Sequence, residues 1–368
     1  MNDDLTGITK DEKEEKEENQ DIEKTDLDLE NQNNSESTGS LETTGSLEST
    51  GSLETTGSLE PTGSLETTGS LESTEDVPWE SKLTVRSTLI NLYRSLPLRR
   101  FSVQFGSLAD KPFPQPLAGL LVLLYSRVCG CNLGEANPDS IWEYKSLAQF
   151  FARDLKPGSR NISSRSRIVS PADGRITFRG VYAGRLEQIK GVFYSLPKFL
   201  GSKSTNPSLQ KYLKFCLYQV VIYLCPGDYH GFHSPTSWRL ERISHISGEL
   251  MSVAPGVLQQ VPGLLHLNER VVLEGEWRYG YFCMVAVGAT SVGSIEITSW
   301  PELRTNLLND KTQKITRRQL NTPTQLEPGQ KIGQFRFGSS VVLLFEAPRG
   351  LEFIKQAGAT LKLGEHLL

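Results

Sequence analysis

Cysteine is scarce in this chain of 368 residues: five, at positions 129, 131, 216, 225 and 283. The number is odd and no C-x-x-C pair occurs, so the fold is expected to form without disulfides, as in a reducing compartment. Arginine is absent from the first 76 residues, and no basic stretch there leads into an apolar one. Neither a secretory signal nor an arginine-rich mitochondrial presequence is therefore expected. Long apolar runs are missing too. The run from Leu117 to Tyr125 is nine residues, far short of the roughly 20 that a helix needs to span a bilayer.

What is present is divided sharply by charge. Residues 1–76 hold 22 acidic side chains against four lysines, a net of −18; residues 77–368 hold 35 basic against 21 acidic, a net of +14. An acidic tail thus precedes a body suited to an anionic partner, with nucleic acid and an anionic membrane surface both candidates on charge alone. The tail is of low complexity. A charge-rich block, "KDEKEEKEENQDIEK", gives way to a six-residue repeat of the form "GSLETT", with glycines at 39, 45, 51, 57, 63 and 69. A β-solenoid of that period needs more branched apolar residues per turn. One leucine per repeat does not offset the chain entropy of ordering it, and the expectation for 1–76 is a disordered, solvated tail.

The segment 77–135 has another texture. Lys82, Arg86, Arg94, Arg99, Arg100, Lys111 and Arg127 face only Glu80 and Asp110 between Trp79 and Leu133. Apolar positions are interleaved with this charge, so a helix is expected to end near Pro97, followed by the apolar stretch "PLAGLLVLLYSRV". Two readings stand: a basic pair of interfacial helices lying on an anionic membrane, or an ordinary helical subdomain packed on the core.

From 136 to 368 short β-type runs alternate with glycine and proline. "SLAQFFARDLKPGSR" reads as a short helix stopped at Pro157-Gly158. "GRITFRGVY", "YQVVIYL", "RVVLEGEW", "YFCMVAVGA", "VGSIEITS" and "SVVLLFEA" read as strands. The dominant period is two, without strand–helix alternation, so the fold class expected is α+β: a mostly antiparallel barrel or sandwich-like domain with a few helices.

Three constellations carry chemistry. "SPADGRI" puts Asp173 in a turn before a strand, where Asp before Gly is an ordinary turn former. "CPGDYHGFHSP" holds His230 and His233 after a strand ending near Leu224; the flanking Pro and Gly argue for a loop, and no third ligand lies nearby for a metal. His245, His266 and His366 are isolated and are read as surface or core residues. "RFGSSVVLLFEAP" runs Gly338-Ser339-Ser340 directly into an apolar strand, by itself a turn or bulge. Asp, His and Ser together allow a serine hydrolase, though the G-x-S-x-G elbow is missing. They also allow Ser339 to attack the carbonyl of Gly338, since glycine permits close approach. Elimination from the resulting ester splits the chain and leaves a dehydroalanine, which hydrolyses to a pyruvoyl group.

In order, "SPADG", "KGVFYSL", "CPGDYHGFHSP", "NERVVLEGEW", "VGATSVGSI" and "RFGSSVVLLFEAP" resemble the motifs of phosphatidylserine decarboxylases. "LYRSLPLRRFS" and "FFARDLKPGSR" are similar to the mitochondrial-type branch, and the resemblance runs from Leu83 to Leu368. It implies that Ser339 is the precursor of a covalent pyruvoyl cofactor and that the Gly338–Ser339 bond is self-cleaved. Residues 1–338 then form a β chain, and 339–368 an α chain that stays bound. It further implies a processing triad of Asp173, His233 and Ser339, with His233 the base and Asp173 orienting it, and His230 or His233 moving the proton in decarboxylation. The substrate amine condenses with the pyruvoyl carbonyl as a Schiff base, and that carbonyl takes the electrons released with CO2. No metal, diffusible cofactor or nucleic acid is implied.

The partners implied are phosphatidylserine in an anionic membrane and the two chains of the precursor, with room for a homodimer. The resemblance points to the mitochondrial inner membrane; with no presequence or anchor visible, a peripheral location is the alternative expectation. The family's usual Leu-Gly-Ser-Thr is replaced by Phe337-Gly338-Ser339-Ser340. A catalytically silent membrane-binding homologue is the competing function, and the serine hydrolase the third.

Overall fold

Continuous apolar runs make strands buried on both faces, and alternating ones make strands buried on one. Both kinds form here, and every pairing between named strands is antiparallel. The computed structural model describes residues 92–93, 95–201, 215–290, 294–307, 313–336 and 338–368. The acidic repeat tail and most of the helix expected before Pro97 lie outside these residues.

In chain order the elements begin with helices α1 (Leu98–Asp110) and α2 (Leu117–Cys129), strand β1 (Ala136–Asn137), helix α3 (Leu147–Phe151) and strand β2 (Asp154–Leu155). Then come β3 (Gly174–Val181), β4 (Leu186–Ile189), β5 (Val192–Tyr194), α4 (Leu196–Leu200), β6 (Phe215–Leu224), β7 (Gly231–His233) and β8 (Trp238–Ile246). The short helices α5 (Pro255–Leu258) and α6 (Leu264–Leu267) precede β9 (Arg270–Trp277), β10 (Gly280–Gly288) and β11 (Ile295–Ile297). The chain closes with β12 (Ile315–Leu326), β13 (Lys331–Phe335), β14 (Ser339–Pro348) and β15 (Thr360–Leu361).

Eight strands make one sheet in the order β12-β8-β9-β10-β14-β6-β3-β15. It is open, which corrects the barrel expectation. One edge, β12, breaks register between Gln319 and Thr324, where Pro323 lacks a ladder donor, and the other, β15, is two residues long. A bulged, proline-bearing strand and a two-residue strand do not zip together. What holds of the expectation is an α+β fold of mostly antiparallel sheet, and a small second sheet lies over one face of the large one. There Phe232, Ile295, Ile297, Ile332 and Phe335 of the three-stranded sheet β11-β13-β7 pack on Val341, Leu343 and Phe345 of β14. The other face carries Val342 and Leu344 and is covered by the β4-β5 hairpin and helices α4, α5 and α6. The central β14 is buried from Ser339 to Ala347, and each apolar side chain it buries contributes about 1.5–3 kcal/mol.

The amino-terminal helices form a separate cluster. Ala109 of α1 packs with Ala148 and Phe151 of α3, and Val122 of α2 packs with Tyr144 and Phe150. Helix α1 was not foreseen as an element of its own. Helix α3 is capped by Ser146, whose hydroxyl accepts from the Gln149 amide, and ends at Phe151 rather than at Pro157. The cause is tertiary: Asp154 and Leu155 leave the helix to pair with Asn137 and Ala136.

Candidate active site

Ser339 opens β14 between two partners, opposite Leu224 on β6 and Gly288 on β10. Alternate residues of a strand share a face. Ser339 therefore lies with Val341, Leu343 and Phe345 on the side of the small sheet, and Ser340 lies on the opposite side with Val342 and Leu344. Both serines are fully buried, and neither hydroxyl has a hydrogen-bond partner among the described residues. Leaving such a group unpaired costs about 1–3 kcal/mol, a penalty that concentrates at reactive positions. Gly338, before it, is half-buried; Phe337 is outside the described residues.

The histidines sit on the segment that continues from β6. The loop after Leu224 is turned by Asp228, whose carboxylate accepts from the Cys225 amide at 2.8 Å. His230 follows in the loop and is completely buried. Its backbone carbonyl accepts from the Phe335 amide at 2.9 Å, so the histidine segment and the segment running into Ser339 are laced together at both ends. His233 departs from the loop expectation: it ends strand β7, opposite Lys331.

The carbonyls around the two rings set their tautomers. A carbonyl only accepts. His230 Nδ1 faces the Asp228 carbonyl at 2.9 Å and His233 Nδ1 faces that of Gly329 at 2.7 Å, so in the neutral ring each Nδ1 carries the proton. Each Nε2 is then a lone pair. That of His233 accepts from the Tyr229 hydroxyl at 3.0 Å. That of His230 has no partner among the described residues and is buried, and the Phe151 ring lies tilted at 48° to the imidazole, with centroids 4.0 Å apart. Burial pushes His230 down to about 3, against the opposing pull of the Asp228 carbonyl. Burial also lowers His233, opposed by its bond to Gly329.

Asp173 precedes β3 at the same end of the large sheet as Ser339. Arg175 pairs with Tyr223, and Tyr223 with Ser340, which puts Asp173 two strand spacings away, about 10 Å. The glycine after it serves close packing: a Cβ on Gly174 would meet the Tyr223 carbonyl oxygen at 2.4 Å. The Asp173 carboxylate is buried and fully engaged. It accepts from Arg160 at 3.0 and 2.5 Å, from Lys362 at 3.1 Å and from the Leu363 amide at 2.8 Å. Burial would raise its pKa, but these bonds and cations hold it below the usual carboxylate range. Among the described residues, Asp173 and His233 are not hydrogen-bonded to each other.

The structure therefore gathers Asp173, His230, His233 and Ser339 at one end of the sheet without joining them by direct hydrogen bonds. Sequence reasoning missed Arg160, Lys362, Tyr229 and Phe151, the groups that hold the expected residues in place. Arg160 and Phe151 left a trace in "FFARDLKPGSR" and Tyr229 in "CPGDYHGFHSP", whereas Lys362 left none. A cavity of about 400 Å³ bounded by Glu274, Tyr281 and Glu346 lies at the far end of the same strands. A cleft of about 670 Å³ bounded by Glu296, Lys331 and Arg336 flanks the segment leading to Gly338.

A model of the phosphatidylserine decarboxylase family matches residues 147–368. The chain belongs to the phosphatidylserine decarboxylase family. It is 42% identical over 294 residues to the mitochondrial phosphatidylserine decarboxylase proenzyme of Caenorhabditis elegans, covering 78% of this chain and 76% of the relative. The mitochondrial proenzyme of Rattus norvegicus is 38% identical over 301 residues, 76% of this chain and 74% of its own. Proenzyme 1 of Saccharomyces cerevisiae, also mitochondrial, is 31% identical over 374 residues, covering 78% and 75%. The span matched by the family model contains Asp173, His230, His233 and the Gly338-Ser339 pair.

Proposed function

We propose that this phosphatidylserine decarboxylase is made as a proenzyme that cuts itself between Gly338 and Ser339 and converts phosphatidylserine to phosphatidylethanolamine and CO2 at a membrane surface. The observation that carries the reading is the buried, unpartnered Ser339 hydroxyl, in a chain segment laced to the one that bears the unpartnered Nε2 of His230. In the cleavage, Ser339 Oγ bonds to the Gly338 carbonyl carbon and the peptide C–N bond breaks, its nitrogen keeping the proton given up by the hydroxyl. Loss of the Ser339 α-proton then expels the Gly338 carboxylate, and water releases ammonia from the new amino end. No oxidant enters: the three carbons of the pyruvoyl group are those of Ser339, its ketone oxygen comes from the water, and the serine Oγ leaves in the Gly338 carboxylate.

The pyruvoyl group supplies a carbonyl that binds the substrate amine and withdraws electrons from its α-carbon. The chain's own residues do the rest. His233 is the base toward Ser339 once it exchanges the Tyr229 hydroxyl for the serine's, and the lone pair of His230 moves the proton in turnover. Asp173 acts on both rings through its charge, favouring their protonated forms, while the backbone carbonyls keep the tautomers. After cleavage, Asp173 ties residues 339–368 to the longer chain through Lys362 and Leu363. The tail 1–76, helical segment 77–135 and catalytic region 136–368 remain the proposed domains. The helical segment docks on an anionic membrane through its basic and apolar surface; no described helix is long and apolar enough to cross one. The relatives' names point to mitochondria for the location.

Intact-mass analysis under denaturing conditions tests the reading. Expected is a fragment of residues 339–368, lighter than the serine-ended peptide by one ammonia, and none of it from Ser339→Ala. An active sample of uncut chain, or cleavage at the same bond in Ser339→Ala, overturns it.

A further inference from the structure

The histidine loop does not rest on the catalytic sheets alone. Helix α2 holds it: the Tyr125 hydroxyl donates to the Pro226 carbonyl at 2.8 Å. Gly227 approaches the end of α2 so closely that a Cβ there would meet the Cys129 carbonyl oxygen at 2.0 Å. Arg153 donates to the carbonyls of Gly227 and Asp228 at 3.2 and 3.5 Å. The Tyr125 ring lies edge-on to Phe151 at 6.2 Å, and Phe151 is the ring packed at a tilt against His230. Helix α1 reaches the other half of the site. Its last residue, Asp110, takes Arg336 Nη1 at 2.6 Å, two residues before Gly338, while Arg336 Nε donates to Glu296 at 2.6 Å.

The outer side of the same two helices is apolar. Leu117, Leu120, Leu124 and Val128 form one stripe along α2, between 46% and 76% exposed, and Phe101 and Leu108 are more than half exposed on α1. Arg100, Lys111 and Arg127 are exposed around them. The one acid between 98 and 129 is Asp110, which Arg336 already neutralises. An apolar stripe bordered by free cations is complementary to an anionic phospholipid bilayer, the phase that holds the proposed substrate.

We infer that α1 and α2 form the positioning element of the active site. Seating their outer face in a bilayer holds Tyr125 on Pro226 and on Phe151, which packs against His230, and holds Asp110 on Arg336 of the Ser339 segment, so a lipid surface raises turnover per site as well as concentrating substrate. Tyr125 is thus a positioning residue that acts through the histidine loop. This inference rests on the decarboxylase reading above.

The test uses the processed enzyme and a short-chain phosphatidylserine at saturation, with and without vesicles of phosphatidylcholine and phosphatidylglycerol that contain no phosphatidylserine. Saturation separates kcat from partitioning of substrate into the vesicles. Vesicles are expected to raise kcat about fivefold in the wild type, equivalent to about 1 kcal/mol or one hydrogen bond's worth of positioning. Tyr125→Phe is expected to bind the vesicles as the wild type does and to lose that rise. A tyrosine that serves folding alone lowers kcat equally with and without vesicles, and that result overturns the inference. So does a wild type whose kcat ignores vesicles. Should Tyr125→Phe fail to fold, amide hydrogen exchange of residues 225–231 in the wild type decides: vesicles slow it, or the inference is wrong. A processed chain that releases no CO2 under any condition sinks the decarboxylase reading instead.

Discussion

His230 shows how two neighbouring atoms divide a residue's roles. The Asp228 carbonyl holds the Nδ1 proton, which leaves a buried lone pair on Nε2 with nothing else to bind. The same burial makes the folded protein sensitive to acid. With a folded value of about 3 and an unfolded value near 6.5, the unfolded chain binds the extra proton between those limits. Stability therefore falls with pH below about 6.5 and stops falling, for this group, near 3. The contribution is about 2 kcal/mol between pH 7 and pH 5. Urea unfolding at those two pH values should show a loss smaller by that amount in His230→Gln than in the wild type. Asp173 acts in the same direction but later. Its depressed pKa means that its stabilisation is present above about pH 4 and disappears only as pH falls through the lower, folded value.

At the scale of elements, the question is what holds residues 339–368 if the proposed cut at Gly338–Ser339 removes their covalent link. β14 pairs along its whole length with β6, from Ser339 opposite Leu224 to Pro348 opposite Phe215, and also with β10. The chain end adds backbone bonds from Leu367 and Leu368 to the Ile168 carbonyl. The fragment should co-elute with the longer chain in native gel filtration and separate only in denaturant. Asp173 is the polar clasp of the same assembly, and Asp173→Asn removes the carboxylate that Arg160 shares with Lys362, leaving Arg160 its second partner, Glu135, at 2.8 Å. With that partner kept, the cost is about 1–3 kcal/mol, the loss of charge-assisted hydrogen bonds rather than of a whole buried pair. Expected are a lowered urea midpoint and partial loss of the fragment at urea concentrations that leave the wild-type assembly intact.

For the whole molecule, charge decides the first encounter and apolar surface the final seating. Residues 77–368 carry a net +14, which favours approach to anionic lipid over neutral lipid. The Debye length is about 10 Å at 0.1 M salt and about 3 Å at 1 M. Co-sedimentation with phosphatidylglycerol-containing vesicles should therefore weaken as salt rises, whereas Leu120→Ser with Leu124→Ser should weaken it at every salt concentration. If binding neither depends on salt nor responds to that double variant, α1 and α2 are not the docking surface.

Much of this was legible in residue order because it depends on local chemistry. Period-two patterns and apolar runs marked β3, β6, β9, β10 and β14, since a strand's faces follow from its own alternation. The Gly338-Ser339 pair at the mouth of β14 and the two histidines after β6 were visible for the same reason. β8 and β12 were missed because arginines, glutamates and threonines populate strands with solvent-facing positions, and β13 because its five residues, with a central glycine, are too short to show a pattern. Which groups hold the active residues depended on contacts between distant segments. Arg160 and Lys362 meet at Asp173 across 202 positions of chain, and Tyr125 reaches Pro226 across 101. The sequence by itself determined the family's motifs and the strands that carry them. Only the tertiary structure decided that the sheet stays open, that Asp173 is a clasp held by cations, and that the helices facing outward also brace His230, because burial and long-range pairing exist only once the chain has folded.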